Sequence, residues 1–446
     1  MSDATISDKG LGGLKAYFEK PILATFLLGM ASGFPLTLVI SITGLWLSKY
    51  GVDKKTVGIF ALATTPYAWK FLWSPVIDRT PLGWFGRVLG HRRSWLFLIQ
   101  GLMAAAILVV ATLDPTTQIG TIGILIVTIG FLSASQDIVI DAYRIEIVEK
   151  EQLGHGATMI AFGYRAANLI AGYGVLVAAN YIGWGPAIAL LALMVLPGTI
   201  AALWVGEPTA DTGSYLRKEE AAHQGMGRAG LWFYEAVVLP FKEFMTRDNW
   251  LLILLFIFLF KAGDAVAAIM TAPLIVELQF TELEIANANK LVGTIALWLG
   301  IALGSLLYFW AGTFRSLFIT GILMMVTNLV FAWLATQGHD VIALAITIGA
   351  ENFATGLGNT VVIAYLSSLC NLSFTATQYA LLSSLASQGR AILGAPSGFL
   401  ADAMGWVDFF IVSTLLAVPG LLVLMILWKK DVNANALEKV NGARDL

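Results

Sequence analysis

Long apolar runs recur along the whole chain, and each has about the length that crosses a lipid bilayer. A hydrocarbon core about 30 Å thick requires an α-helix of about 20 predominantly apolar residues. The chain contains about twelve such runs, six before and six after a central polar stretch. Their approximate limits are 22–47, 57–77, 94–113, 119–141, 157–181, 185–205, 250–279, 289–310, 316–336, 341–368, 378–402 and 406–428. We therefore predict an all-α polytopic membrane protein.

Composition agrees with this prediction and excludes several classes of protein. Of the 446 residues, 58% are hydrophobic and only 13% are charged, whereas a soluble domain has about a quarter charged residues. The net charge of -2 does not suggest a nucleic-acid partner. Cys370 is the single cysteine, which excludes an intramolecular disulfide or a cysteine metal cluster.

Neither a metal site nor a cofactor site is indicated by the remaining motifs. The four histidines lie at span ends or in loops, and we assign no metal and no cofactor. The chain contains no nucleotide-binding loop of the GxxxxGK[ST] type, which argues against ATP as an energy source. Paired histidines or aspartates at catalytic spacing are also missing, so we expect no enzymatic activity.

The two sets of six spans resemble each other. Residues 183–198 read GWGPAIALLALMVLPG and residues 405–420 read GWVDFFIVSTLLAVPG, with Gly-Trp and Pro-Gly at the same spacing. The offset is 222 residues. Such internal repeats are typical of secondary transporters, whose central site opens alternately to the two sides of the membrane. We therefore predict two six-helix pseudo-repeats.

The chain is accordingly divided into three parts. We predict an N-terminal six-helix bundle (1–205), a cytoplasmic linker (206–249) and a C-terminal six-helix bundle (250–446). The linker is rich in Gly and charged residues, and it is predicted to end in an interfacial helix. The apolar stripe of that helix consists of Leu231, Tyr234, Val238, Phe241 and Met245. Placing both termini in the cytoplasm puts most of the 27 Lys and Arg residues on that side.

A family resemblance follows from motifs in the first half. SPVIDR at 74–79, followed by GHRR at 90–93, resembles the signature of the major facilitator superfamily. Ser74 stands at the usual glycine position, and about nine extra residues separate the two parts. GMASGFPLTL at 29–38, KFLWSPVIDR at 70–79, SASQDIVIDAYR at 133–144 and GYR at 163–165 resemble more specifically the AmpG-type muropeptide permease family.

This resemblance implies a function. It implies a major facilitator fold and proton-driven import, across a bacterial inner membrane, of cell-wall fragments such as N-acetylglucosaminyl-anhydro-muramyl peptides. The expected partners are then a small glycopeptide, protons and membrane lipid. The alternatives are a carrier of another anion such as an acyl-CoA, an exporter of amphiphiles, a membrane-embedded enzyme, or a transporter-shaped sensor.

Four cationic side chains are predicted at middle depths of the membrane, where an ionisable group is costly and therefore a candidate for function. They are Lys70, Arg165, Lys261 and Arg390. Cations in a water-lined cavity would bind the carboxylates of a peptide, and Arg offers a planar fork for two bonds. The pseudo-twofold could bring Arg165 and Arg390 to opposite walls of one cavity. Alternatively, the four cations pair with intramembrane carboxylates and only hold helices together.

Carboxylates are assigned two roles. Glu351, about 15 Å inside the tenth span, and Asp264 are the candidates for proton coupling, although Asp264 shares a helix face with Lys261 and the two could neutralise each other. A second group is predicted to latch the cytoplasmic gate. This group consists of Asp78, Arg79, Asp137, Asp141 and Arg144.

Uncharged polar residues complete the candidate substrate site. They are Tyr164, Asn168, Asn352 and Gln136. Amides suit sugar hydroxyls and aromatic rings suit pyranose faces, but membrane helices also use such amides to bind one another.

Overall fold

The computed structural model describes residues 15–53, 56, 59–209 and 227–442, and within these ranges the regular structure is helical. Most of the predicted linker, residues 210–226, lies outside the described residues. Among the described residues, ten helices are long and apolar enough to cross a membrane. We label them α1 (Lys20–Lys49), α3 (His91–Val110), α4 (Ile119–Ile147), α5 (Lys150–Ile182), α6 (Trp184–Val205), α7 (Trp250–Glu277), α8 (Leu283–Ala311), α9 (Thr313–Gln337), α10 (Val341–Ser368) and α12 (Trp406–Asp431).

The second and eleventh predicted spans are helical but interrupted. The second, α2, consists of four short consecutive helices: Phe60–Thr64, Thr65–Trp69, Lys70–Leu72 and Ser74–Arg79. The eleventh, α11, consists of Thr375–Gly394 and Ser397–Met404. Pro66 and Pro75 interrupt α2, and Pro396 interrupts α11, because proline lacks the N–H that continues a helix. The apolar runs at these two positions thus give broken helices rather than the uniform spans of the sequence prediction.

Three short helices precede α7, at Arg228–Phe233, Tyr234–Val238 and Leu239–Met245. The buried side chains here include Ala236, Leu239 and Phe244, whereas Val238 and Met245 of the predicted apolar stripe are exposed. The helix of the linker is therefore present, and its packed face differs from its apolar stripe. Leu231, Tyr234 and Phe241 of the same stripe are part-buried, and the interfacial position of this helix stays a prediction.

The chain forms two compact units. The first comprises Met1–Lys242 together with Leu366–Ser384, and the second comprises Glu243–Tyr365 together with Leu385–Leu446. The segment Leu366–Ser384, which contains the end of α10, the connection and the first half of α11, is part of the first unit although it belongs to the second half of the sequence. The three-part division predicted above stays a prediction.

Helix contacts inside the two units follow the sequence repeat. A Cβ at Gly163 of α5 would collide with the carbonyl of Phe26 on α1, and one at Gly389 of α11 would collide with the carbonyl of Phe258 on α7. Glycines in α4 and α10 approach α2 and α8 in the same way. Small residues permit this close approach of helix backbones in membranes. The first and fifth helices of each half therefore pack through equivalent glycine contacts.

The first helix of each half is also irregular at a matching position. In α1, Pro35 precedes a π-helical turn over Leu38–Ile42. In α7, the regular helix ends at Leu259 and resumes at Ala262, so that Lys261 stands at the interruption. The offset of the sequence repeat carries residues 38–42 onto 260–264. Interruptions at corresponding positions of two repeats are typical of transporter binding sites.

Candidate substrate and coupling site

Asp137 is the centre of a polar cluster inside the first unit. The hydroxyl of Ser32 on α1 donates to its Oδ1 at 2.6 Å. Tyr67 of α2 and Tyr164 of α5 are electrostatic neighbours of this carboxylate and of each other. Four helices thus contribute one polar side chain each to a part-buried cluster, which we call the Asp137 cluster (Ser32, Tyr67, Asp137 and Tyr164).

Lys70 belongs to an ion-pair chain one turn away from Asp137. Its Nζ lies 3.6 Å from Oδ2 of Asp141, and Arg144 donates to Oδ1 of the same carboxylate at 3.2 Å. Lys70 is only 7% exposed, so little of its ammonium is open to a ligand. The pairing that the sequence left open as an alternative is therefore present for Lys70.

Arg165 has a different environment from Lys70. It is partly exposed, and within the described parts of the chain no carboxylate lies within ion-pair distance of it. Its neighbour Tyr164 bonds with Asn168, and Asn168 Oδ1 accepts from the hydroxyl of Thr37 at 3.0 Å. The guanidinium of Arg165 thus lies beside the hydrogen-bonded side chains of Tyr164, Asn168 and Thr37, and no carboxylate of the described chain neutralises it.

Gln136 lies fully buried between helices. Its Nε2 donates to the backbone carbonyl of Ala31 on α1 at 2.7 Å. This contact binds α4 to α1, which is the interhelical role of such amides. Substrate contact by Gln136 stays a prediction that this geometry does not favour.

The second unit contains a cluster of two cations and two carboxylates. Lys261 donates to Oδ1 of Asn359 on α10. Asp264, one turn further along α7, has Lys261, Glu351 and Arg390 as electrostatic neighbours, but among the described residues it makes neither an ion pair nor a hydrogen bond. We call Lys261, Asp264, Glu351 and Arg390 the α7 cluster.

Glu351 is held by a single side-chain bond. The hydroxyl of Thr355 donates to its Oε1 at 3.0 Å, and its Oε2 is buried without a protein partner in the described chain. A lone buried carboxylate oxygen is costly when charged, and this cost falls when a proton is bound. Asn352, the next residue, donates to the carbonyl of Ile348 on its own helix at 2.9 Å.

Arg390 lies at the exposed side of the α7 cluster. Its Nη2 approaches the hydroxyl of Ser387 at 3.4 Å, a long contact within the same helix. Asp264 attracts it electrostatically, although no carboxylate of the described chain reaches ion-pair distance. Arg390 therefore resembles Arg165 in presenting a guanidinium that the protein does not neutralise by direct contact.

Asp78 belongs to a buried network at the end of the first unit. Arg92 on α3 donates to Asp78 Oδ1 at 2.8 Å and to Glu146 on α4 at 2.6 Å. The other oxygen of Asp78 accepts from the backbone N–H of Thr377 at 3.1 Å and from its hydroxyl at 2.9 Å. Burial raises the pKa of Asp78, but Arg92 and Arg79 outweigh it and hold the pKa below its ordinary value of 3.8.

Other predicted gate residues contact the same Leu366–Ser384 segment. Arg79 donates to the carbonyl of Ser373 at 2.6 Å. Arg144 donates to the hydroxyl of Ser367 at 3.0 Å and lies over the ring of Tyr379, with 5.2 Å to its centroid. Asp141 joins this set through Arg144.

Asp137, in contrast, lies with Ser32 and Lys70 rather than with the Asp78 network. It precedes Arg144 by seven residues, which is two helical turns or about 10 Å along α4. That distance separates Asp137 from Arg144 and the Asp78 network, while Asp141, one turn from Asp137, connects the two through its ion pairs with Lys70 and Arg144.

Sequence reasoning did not single out several residues that complete these sites. Arg92 and Glu146 form the centre of the Asp78 network, and Glu207 accepts from the backbone N–H groups of Arg92 and Arg93 at 2.7 and 3.1 Å. Arg92 lies within the GHRR motif, which could have indicated it. Ser32 carries no such signal, because short polar residues are common in membrane helices. The described residues contain no group of His, Cys, Asp and Glu that could hold a metal ion.

Comparison with known proteins identifies the class. Residues 22–371 match the model of the Major Facilitator Superfamily. The human organic anion transporter MFSD10 (TETRAN) has a similar fold, with a TM-score of 0.68 at 15% identity, covering 91% of this chain and 99% of that one. The proton:xylose symporter XylE gives a TM-score of 0.62 at 14% identity, covering 92% and 94%. The protein is thus a multi-pass membrane transporter of the major facilitator class and not an enzyme.

Similar proteins with assigned names indicate one family within this superfamily. The chain is 35% identical to "Putative transporter AmpG 4" of Rickettsia felis over 420 residues, which cover 93% of this chain and 98% of the relative. It is 37% identical to "Anhydromuropeptide permease" of Escherichia coli K12 over 412 residues, which cover 92% of this chain and 80% of the relative. The chain belongs to the AmpG family of the major facilitator superfamily.

Proposed function

We propose that this protein is a proton-coupled importer of anhydro-muropeptides that works by alternating access in the bacterial inner membrane, with both termini in the cytoplasm. A muropeptide carries a disaccharide and a peptide with free carboxylates. The E. coli relative is named as an anhydromuropeptide permease, which supports this cargo. The distribution of Lys and Arg supports the orientation.

The observation that carries the proposal is the contrast between paired and unpaired cations. Lys70 pairs with Asp141, and Lys261 bonds to Asn359. Arg165 and Arg390 have no carboxylate of the described chain at ion-pair distance. A guanidinium in a membrane protein is costly unless a partner or water solvates it. A carboxylate of the cargo peptide is a suitable partner, because a guanidinium can bind a carboxylate through two parallel bonds.

Proton coupling is assigned to Glu351 and Asp264. Glu351 has one buried oxygen without a partner, and Asp264 lies among charged neighbours without a hydrogen bond. Both carboxylates are electrostatic neighbours of Lys261, and Asp264 is also a neighbour of Arg390. A proton on Glu351 would leave Lys261 less neutralised, and a proton on Asp264 would do the same for Lys261 and Arg390, so that these cations become more attractive to an anionic cargo. Proton binding and cargo binding would then favour each other.

Gating is assigned to Asp78, Arg79, Asp141 and Arg144. Their contacts with Leu366–Ser384 connect the end of the first unit to the joint between α10 and α11. Making and breaking these contacts would bias the transporter between its conformations without touching the cargo.

Counterflow tests the proposal directly. Purified protein in proteoliposomes loaded with unlabelled anhydro-muropeptide should take up labelled anhydro-muropeptide, and an inward proton gradient should drive accumulation. An acyl-CoA offered in the same assay examines the alternative anionic cargo. Exchange of the acyl-CoA with no exchange of the muropeptide would overturn the assignment.

A further inference from the structure

We propose that the Asp137 cluster is a hydroxyl-binding subsite for the sugar part of the cargo, separate from the cations that bind its peptide. This inference rests on the proposed function, because it assumes a cargo with a carbohydrate moiety. It assigns Ser32, Tyr67, Asp137 and Tyr164, which lie on four different helices of the first unit.

Geometry leaves the Asp137 carboxylate available to a ligand. Asp137 is partly exposed, and within the described residues its direct hydrogen bond is the 2.6 Å contact from Ser32 to Oδ1. Lys70, an electrostatic neighbour of Asp137, forms its ion pair with Asp141 instead. One carboxylate oxygen is thus fixed by Ser32, while the other can accept a bond from a ligand.

The chemistry of the cluster suits neutral hydroxyl groups. A carboxylate accepts up to about four hydrogen bonds, and sugar hydroxyls are donors without charge. A peptide carboxylate would be repelled by Asp137, so we expect the anionic end of the cargo to bind Arg165, beside Tyr164, rather than Asp137 itself. The rings of Tyr67 and Tyr164 add apolar faces of the kind that pack against a pyranose ring.

Hydrogen bonds around the cluster hold its members in place. The hydroxyl of Tyr67 donates to Ser133 at 2.6 Å. Tyr164 bonds with Asn168, which Thr37 holds in turn. Binding sites depend on such supporting bonds, because a ligand gains most from groups that are already oriented.

Equilibrium binding to the purified full-length protein tests the subsite. The ligands are the anhydro-disaccharide without a peptide and the same disaccharide with its peptide. Asp137→Asn keeps the shape of the side chain but removes the charge, and Asp408→Asn, at an exposed position of α12, is the matched control. Ser32→Ala, which frees the carboxylate from its fixed orientation, and Tyr164→Phe give readings that do not depend on the folding of Asp137→Asn.

We expect Asp137→Asn to weaken binding of both ligands by about tenfold or more, the scale of one charge-assisted hydrogen bond. Ser32→Ala and Tyr164→Phe should weaken both by about threefold, and Asp408→Asn should change neither. The subsite would be overturned if Asp137→Asn bound the disaccharide within about twofold of wild type. If Asp137→Asn does not fold, the same result in both Ser32→Ala and Tyr164→Phe would overturn it.

A loss of proton-driven accumulation with unchanged disaccharide affinity would also overturn it, since Asp137 would then be a proton carrier. Failure of the wild type to bind either ligand would instead contradict the proposed function itself. The two failures are therefore distinguishable.

Discussion

The two units bury charge in the membrane interior in different ways. In the first unit, Asp141 is shared by Lys70 and Arg144, and these charges neutralise one another by direct contact. In the second unit, Asp264 and Arg390 are electrostatic neighbours without an ion pair, and one oxygen of Glu351 has no protein partner. Paired charges hold helices together, whereas unpaired charges are available to protons and cargo. The ion-pair chain of the first unit and the α7 cluster of the second thus differ in what they can do, although Arg165 of the first unit resembles Arg390 in having no ion-pair partner among the described residues.

The largest effect is expected at the unpaired carboxylate. Glu351→Gln should abolish proton-driven accumulation in proteoliposomes while exchange of cargo for cargo continues, because the amide cannot load and release a proton. Glu277→Gln, at an exposed position near the end of α7, is the control. Accumulation at the wild-type level in the Glu351 variant would make this residue structural.

The second-largest effect is expected on substitution of Arg165. Arg165→Ala should weaken equilibrium binding of the muropeptide by roughly ten- to a hundredfold, the scale of a hydrogen bond to a charged group. Arg165→Lys should recover part of this loss, since Lys restores the charge but not the planar fork. Full recovery with Lys would show that the charge alone matters, and an unchanged affinity in the Ala variant would remove Arg165 from the site.

Removal of Lys70, a paired cation, should reduce the stability of the protein more than its affinity for cargo. Lys70→Met leaves Asp141 with Arg144 alone, and breaking a buried pair typically costs about 3–5 kcal/mol of stability. We therefore expect a lower unfolding temperature in detergent, with a change of less than about threefold in muropeptide affinity. A stable Lys70 variant with strongly weakened binding would show that Lys70 contacts cargo despite its pairing.

The smallest effect on affinity is expected at the gate. Asp78→Asn should slow turnover several-fold and leave equilibrium affinity within about twofold, because its partners Arg92 and Thr377 lie at the end of the unit. A large loss of affinity with normal turnover would contradict a gate role.

Gate contacts should also be independent of pH in the working range. Since the pKa of Asp78 is lowered in the folded protein, its contribution is present above its ordinary value of 3.8 and is lost only as the pH falls through the lower value. Between about pH 5 and 8, Asp78→Asn should therefore lower the rate of cargo exchange by the same factor at every pH. A shift of the pH profile of cargo exchange would show that Asp78 titrates during transport.

Much of the fold could be predicted from the sequence, because length and apolarity alone determine what can span a bilayer. The positions of α2 and α11 were predicted, although Pro66, Pro75 and Pro396 break the helices there. The repeat was readable in the Gly-Trp and Pro-Gly motifs, and the helix contacts follow it.

The site was less predictable, because sequence gives the depth of a residue but not the direction in which its helix faces. Depth alone indicated Lys70, Arg165 and Arg390 as equivalent candidates. Which of them is neutralised depends on contacts between distant helices, such as that between Lys70 and Asp141. Spacing along α4 also placed Asp137 beside Asp141 without showing that its hydrogen-bond partner is Ser32.

The most direct test of the division between the two clusters is the binding of two ligands to one variant, Arg390→Ala. The ligands are the anhydro-muropeptide and the same disaccharide without its peptide, measured at equilibrium with purified protein. We predict a roughly ten- to a hundredfold loss for the muropeptide and a change within about twofold for the bare disaccharide. Equal impairment of both ligands would contradict the assignment of Arg390 to the peptide carboxylates and would favour a structural role for the α7 cluster.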